Sequence, residues 1–421
     1  MKSYKLFVLG LFFIWSCAEE DVNSPSQSDV FIKYYGANAN QAVDLATYTY
    51  LENDVEETGY MILAQNESDG IQSDFYLVRT DKYGNEVNSV IIDVAEADSA
   101  SATSTVDIPK KIKPIGNGQF LVVGVISGSL NYLGAWIEID TSLNSTNIHR
   151  VSDVETIDII KTDDNEVIIL GDQNERIVIR KLDFDDNLIW SSEVDFTGDD
   201  EALALFENPN GNLFIVGSSR AYEETEGINI FALETNSRGT AESSDGVPKI
   251  LNESTASNDD IPTAVIATPW GYSITGYTLP NAQNGNEPQG FVVNVSRTAN
   301  ILYTHVFEFP SNSSNGGFES TWPQALTVDY AGFLSVVGRL PEFPGKQDEM
   351  MVMRIHPSLG LQESDYGSCR SFGRATGDDV ANAVITHPLD GDLVIAGTVD
   401  FGSGTSLISL MKLSETGDLV D

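Results

Sequence analysis

The chain is poor in the residues that carry most enzymatic chemistry. Its 421 residues include two cysteines and four histidines, and 23 basic residues stand against 63 acidic ones. Two cysteines cannot make a disulfide framework, and with one of them at Cys17 no bridge is expected inside the folded part. His149, His305, His356 and His387 fall in different stretches, and none stands in an HExxH or other metal-ligand spacing. No G-x-S-x-G, P-loop or dinucleotide fingerprint occurs. A formal net charge of −40 argues against holding nucleic acid or an anionic membrane by charge, because both need basic patches. No cofactor, metal or nucleic-acid partner is expected. Carboxylates are so abundant that spacing alone singles out no catalytic pair.

Long apolar runs are scarce as well. The run Leu6–Trp15 is too short to span a bilayer and follows Lys2 and Lys5, which reads as an export signal over 1–16. The signal ends in Ser16-Cys17, which resembles a bacterial lipoprotein cleavage box, although Trp15 is bulky where that box has a small residue. The resemblance implies that Cys17 becomes the first residue and carries the lipid. The alternative is an ordinary secretory signal with a chance cysteine. Ala18-Glu19-Glu20-Asp21 follows and resembles the surface-export signal of Bacteroidota-type lipoproteins. That implies an outer-membrane anchor facing the medium, and the alternative is a solvated linker. Residues 17–29 are expected to form an acidic, flexible tether.

What the chain does have is repetition. An apolar strand bounded by turn residues recurs at Gly59, Gly118, Asn165, Gly211, Trp270, Gly332 and Gly391, spaced 46 to 62 residues apart. A second strand follows each time, at Asp74, Gly134, Arg176, Asn229, Gly290, Met350 and Leu407. Such β-branched and aromatic runs between Gly, Asn and Asp are strand signals. An all-β period of this length points to a propeller, since one such sheet cannot bury its own faces. After the second strand come turns opened by Asp81, Asp140, Asp183, Asn236 and Ser414. Their carboxyl, amide and hydroxyl groups suit hairpin turns, and Asp183–Asn187 is read as such a turn and not as a calcium loop.

The expected fold is an all-β, single seven-bladed β-propeller over 30–421. An inner strand is expected ahead of each first strand, at 42–50, 108–115, 155–161, 202–206, 262–267, 323–328 and 380–386. Val30–Gly36 precedes the first full copy and resembles the tail of a repeat, while the last copy stops at Asp421. The N-terminal strand is therefore expected to complete the last blade and close the ring. The copies resemble the propeller repeats of secreted bacterial proteins, with Trp190 and Phe372-Gly373 matching the closing element of that repeat. Such repeats imply a fold and no activity.

Function is sought on the loops. Long connections alternate with short ones, so all the long ones should lie on one face. Its aromatic residues, Tyr222, Phe318, Trp322, Phe343 and Phe401, are the candidate binding residues. The reading is a lipid-anchored, non-enzymatic binding or scaffolding module. Its partners would be the membrane through the lipid anchor and an outer-membrane transporter, a secretion component or a glycan. Two alternatives stay open. One is a glycoside hydrolase or lyase with carboxylates at the channel mouth, and the other is a structural lipoprotein stabilised by a cation.

Overall fold

The computed structural model describes residues 30–36, 39–68, 72–94, 106–127, 133–194, 199–220, 227–240, 249–250, 258–279, 288–310, 318–341, 347–362, 369–373, 377–402, 404–415 and 417–419. The described residues form strands and turns and no helix. Strand β1 (Phe31–Tyr35) comes first. Repeat one holds β2 (Ala39–Glu52), β3 (Val55–Ser68), β4 (Gln72–Thr80) and β5 (Glu86–Ile92). Repeat two holds β6 (Val106–Gly116), β7 (Gln119–Ser127), β8 (Gly134–Asp140) and β9 (Ser145–Val151). Repeat three holds β10 (Glu155–Lys161), β11 (Val167–Gln173), β12 (Arg176–Leu182) and β13 (Leu188–Val194). Repeat four holds β14 (Asp200–Glu207), β15 (Leu213–Ser219), β16 (Asn229–Thr235) and β17 (Lys249–Ile250). Repeat five holds β18 (Asp259–Thr268), β19 (Gly271–Leu279), β20 (Gln289–Val295) and β21 (Ile301–Phe307). A small hairpin, β22 (Phe309–Pro310) and β23 (Phe318–Glu319), leads into repeat six. Repeat six holds β24 (Trp322–Val328), β25 (Leu334–Leu340), β26 (Glu349–Ile355) and β27 (Arg370–Phe372). Repeat seven holds β28 (Asp379–Thr386), β29 (Leu393–Asp400) and β30 (Ser406–Leu413).

Within each repeat the strands pair antiparallel in chain order. The first two repeats are joined by one parallel pairing, Ser73 with Val106. The second strands are apolar along their length because neighbouring sheets cover both their faces, as with Val167–Leu170 and Leu213–Val216. First strands of successive repeats lie side by side: β2 against β6, β6 against β10, β10 against β14, β14 against β18, β18 against β24 and β24 against β28. β28 in turn lies against β2. Repeated four-stranded meanders gathered on their first strands are the arrangement of a β-propeller.

One local device recurs. Each first strand carries a bulge, and the residue opposite its start is Gly124, Gly171, Gly217, Gly276, Gly338 or Gly397. The bulge presses a first-strand carbonyl onto that glycine. A Cβ at Gly276 would lie 2.0 Å from the Ile261 carbonyl oxygen, and one at Gly217 2.2 Å from that of Glu201. These second-strand glycines therefore answer to close backbone approach. In repeat one Ala64 occupies the position. The hairpin turns work as expected from their chemistry. Asp183 Oδ1 accepts the Asp185 and Asn187 N–H groups at 2.9 and 2.8 Å, and Asp81 and Asp140 do the same in their turns.

β1 pairs antiparallel with β30, from Phe31 opposite Lys412 to Tyr35 opposite Ile408. Of its side chains only Tyr35 is buried, as is Val30 just before the strand, and the Tyr35 hydroxyl donates to the Gly84 carbonyl at 2.5 Å. Ile32 and Tyr34 point outward, 36% and 42% exposed, because alternate residues of an outer strand face solvent. Tyr35, Ala42, Tyr60 and Ile62 share one core cluster with Val394, Ala396, Ile408 and Leu410, so apolar packing links repeat one to repeat seven.

Candidate functional site

The cross-strand pair just ahead of each bulge sits at the start of the first strand, the end from which the long crossings depart. Backbone geometry is the same in every repeat there, but the side chains are not. The pairs run Gln41 with Gln65, Ile108 with Val125, Glu155 with Asp172, Glu201 with Ser218, Ile261 with Tyr277, Trp322 with Arg339 and Val380 with Thr398. A regular scaffold thus presents acids in repeats three and four and an aromatic and cationic group in repeats five and six.

Trp322 is the centre of the second group. Its indole stacks on Tyr277 with centroids 4.8 Å apart at 20°, and the Arg339 guanidinium carbon lies 4.2 Å from its centre. Arg339 Nη1 donates to Asp348 Oδ2 at 2.9 Å. Trp322 Nε1 and Arg339 Nε are buried with no hydrogen-bond acceptor. Burial raises the Tyr277 hydroxyl above its ordinary range, and Arg339 opposes the shift. Trp322 is therefore wedged between two neighbours and does not offer a bare ring face.

In the acidic group, Asp172 Oδ1 accepts the Ala202 N–H of the next repeat at 3.0 Å. Burial pushes its carboxyl up to about 7, and Glu201 and Glu155 add to the shift. A carboxyl poised near neutrality can give or take a proton there. Thr398 occupies the same register position in repeat seven, where its hydroxyl accepts the Ala42 N–H at 3.1 Å.

A second layer lies one step further along the first strands. Asp44 accepts the Leu45 and Ile112 N–H groups at 2.9 Å each, and Asp158 accepts those of Ile159 and Leu205 at 2.7 and 2.8 Å. Lys113 Nζ sits 2.6 Å from Asp158 Oδ1. Burial raises the Asp44 carboxyl, and Lys111 works against it. These carboxylates clamp one repeat to the next and are committed to backbone amides.

A third group was not legible by spacing. Asp74, Asp93 and Asp107 each bring a carboxylate oxygen within 4.8 Å of the others, where repeats one and two meet. Oxygen donors of this kind suit a hard cation. Asp107 is also used structurally, since its Oδ2 accepts the Val94 N–H at 2.8 Å. Burial raises the Asp74 carboxyl, and Asp93 adds to it.

The sequence-predicted residues fall in different places. Cys17, Tyr222 and Phe343 lie outside the described residues, and of Phe318 only its backbone place in β23 is described. Phe401 follows β29 and meets the Tyr34 ring edge-on at 5.8 Å, so it fastens its loop to β1. Sequence reading passed over Tyr277, Arg339, Glu155 and Asp172. The signal for them was register: Asp172, Tyr277 and Arg339 each directly follow a repeat glycine, Gly171, Gly276 and Gly338, and Glu155 lies opposite Asp172. Of the histidines, His149 and His305 lie inside strands, and buried His149 stacks on Trp136 at 3.6 Å.

No protein-family model matches the chain, and no curated protein matches it. Solved structures resemble it in shape. The Dos1 propeller is 9% identical, with 92% of this chain and 96% of that one covered at a TM-score of 0.46. A putative 6-phosphogluconolactonase from Bacteroides fragilis is 12% identical, with 84% and 93% covered at 0.44. A GH93 α-L-arabinofuranosidase of Fusarium graminearum, in complex with arabinobiose, is 10% identical, with 93% and 100% covered at 0.44. At these identities and scores the likeness says nothing of activity or ligand.

Proposed function

We propose that this chain is a seven-bladed propeller, closed by β1 completing the last blade, that serves as a non-catalytic binding module of the cell envelope. Cys17 carries its lipid and places it on the outer membrane, facing the medium. Its partner is an outer-membrane transporter, a secretion component or a glycan, docking on the crossing-loop end. The observation that carries the binding reading is the pre-bulge rim. Bulges and turns repeat through the chain, and the glycine does so in six repeats, yet the seven rim pairs differ in charge, size and polarity. Varied side chains at equivalent places on a rigid scaffold are what recognition requires. Seven contacts between first strands, including that of β28 with β2, support the ring.

The test presents the purified chain to soluble polysaccharides, peptides and detergent-solubilised envelope fractions. Any ligand found should bind at least tenfold more weakly to a Glu201→Gln, Arg339→Gln double variant. It should bind unchanged to Asn210→Ala and Leu389→Ala, which alter exposed turns at the other end. Binding lost only through those turns would place recognition on the wrong end.

One observation favours a second reading, a carbohydrate-active enzyme. Burial, with Glu201 and Glu155 nearby, raises the Asp172 carboxyl to about 7, so that part of it holds a proton at neutral pH, as a general acid needs. Turnover of a polysaccharide that disappears in Asp172→Asn would replace the first reading with this one.

A further inference from the structure

Large apolar side chains stand exposed on one part of the short-turn end. Leu51 and Val55 flank the β2–β3 turn of repeat one, Tyr330 lies in the β24–β25 turn of repeat six, and Leu389 lies in the β28–β29 turn of repeat seven. Each is more than half exposed, from 56% at Val55 to 74% at Leu51. Because β24 lies against β28 and β28 against β2, these are the turns of three successive repeats. Tyr330 joins two of them, since its hydroxyl donates to the His387 carbonyl at 3.3 Å. The equivalent turns of repeats three and four expose Asp163, Asp164 and Asn210 instead. Folded proteins rarely gather exposed apolar side chains in one patch, and such a patch marks contact with a protein or a membrane.

The chain enters the fold beside this patch. Phe31 pairs with Lys412, just before the turn that Ser414 opens, so β1 begins at the short-turn end of repeat seven. Val30 is buried there. Residues 17–29 join that point to Cys17. The anchor thus departs from the middle one of the three apolar-tipped repeats. Exposed leucine and valine gain by entering the boundary between headgroups and acyl chains, and tyrosine suits that boundary because its ring is apolar and its hydroxyl stays wet. Charge narrows the lipid. Lys82 Nζ offsets Glu52 and Glu57 at 3.2 and 2.7 Å, and Lys412 Nζ offsets Asp390 and Asp392 at 2.5 and 3.3 Å. Asp54 and Glu56 stand exposed beside Leu51 and Val55, and they oppose an anionic headgroup.

From this we infer that the short-turn end of repeats six, seven and one rests on a lipid surface of no net charge, with Leu51, Val55, Tyr330 and Leu389 in contact with it. The crossing-loop end then points away from the membrane. The inference rests on the reading of Cys17 as the anchor, and it names the face that meets the lipid.

The test couples the chain from Cys17 onward, through that thiol, to a maleimide lipid in phosphatidylcholine vesicles. Cys369→Ser leaves Cys17 as the one thiol. Hydrogen exchange read by mass spectrometry is compared with that of the same chain free in solution, its Cys17 capped. Fully extended, residues 17–29 span at most about 45 Å, so the link alone presses neither end onto the lipid. Exchange at 51–55, 329–332 and 387–391 should slow at least threefold on the vesicle, and exchange at 173–176, at the crossing-loop end, should not change. A Leu51→Ser, Leu389→Ser double variant should remain coupled, keep its melting temperature and lose the slowing. Vesicles with one third phosphatidylglycerol should give less slowing. No slowing at the three turns, as expected of a patch that serves a protein partner, overturns the inference. So does slowing at 173–176 in their place, slowing indifferent to the double variant, or slowing undiminished by the anionic lipid. The maleimide link stands in for the acyl chain, so failure of the anchor reading shows separately, in the fractionation of Cys17→Ser.

Discussion

The backbone amide of Ala42 donates to Thr398 Oγ1 at 3.1 Å across 356 residues of chain. Ser406 Oγ donates to the Asn40 carbonyl at 3.0 Å beside it. These bonds tie repeat one to repeat seven where β2 lies against β29 and β30. β1 reinforces the same join through Tyr35.

Removing β1 should therefore loosen the whole chain. A version starting at Asn38 loses the β30 pairing and the burial of Val30, Phe31 and Tyr35. At about 25 cal/mol per Å² of apolar area this is several kcal/mol. Urea unfolding should show a clearly lower midpoint, and an unchanged midpoint would mean that β1 does not hold repeat one to repeat seven.

Gly276→Ala should be among the costliest single-methyl additions. The new Cβ would lie 2.0 Å from the Ile261 carbonyl oxygen, which belongs to the bulged strand and cannot swing aside. A loss of about 2–3 kcal/mol is expected. Gly116→Ala, with no atom within 4 Å but φ +86, is the control for backbone strain alone. Comparable losses at both sites would mean that close approach does not set the glycine pattern.

Asp172 gives a pH signature of definite sign. Its folded pKa, about 7, lies above that of an unfolded carboxylate, so the folded state holds the proton longer. Stability should fall as pH rises from the unfolded pKa through 7, by an amount on the order of 2–4 kcal/mol. Asp172→Asn keeps an acceptor for the Ala202 amide and removes the titration. The variant should match the parent at pH 4 and exceed it at pH 8 in chemical denaturation. Identical pH profiles would show that Asp172 is not perturbed.

Trp322→Ala should cost stability as well as any binding. The indole fills the space between Tyr277 and Arg339, and a partly buried aromatic of this kind contributes about 2–3 kcal/mol. Thermal unfolding checks this. An unaltered midpoint would return Trp322 to the role of an exposed contact residue.

Cys17→Ser should release the chain from membranes or trap its precursor, since stable anchoring needs more than one acyl chain, at about 0.8 kcal/mol per buried CH₂. Fractionation with immunodetection reads the outcome. Unchanged membrane association would remove the lipid from the proposal.

The repeat and the strands within it follow from local sequence. Apolar runs between turn residues specify strands locally, so the expected inner strand at Glu155–Lys161 has the observed bounds, and that at Pro323–Val328 misses only Trp322. Asx turns such as Asp183–Asn187 are local chemistry too, and they form as expected. Which side chains meet follows instead from the folded arrangement. Glu155 and Asp172 are seventeen positions apart, and Tyr277 and Trp322 forty-five, and neither spacing carries a motif. Their proximity comes from strand register and from the packing of one sheet on the next. A bulge shifts that register by one residue, and so reverses the face on which each following side chain falls. The perturbation of Asp172 arises the same way, from burial and from acids supplied by two different repeats.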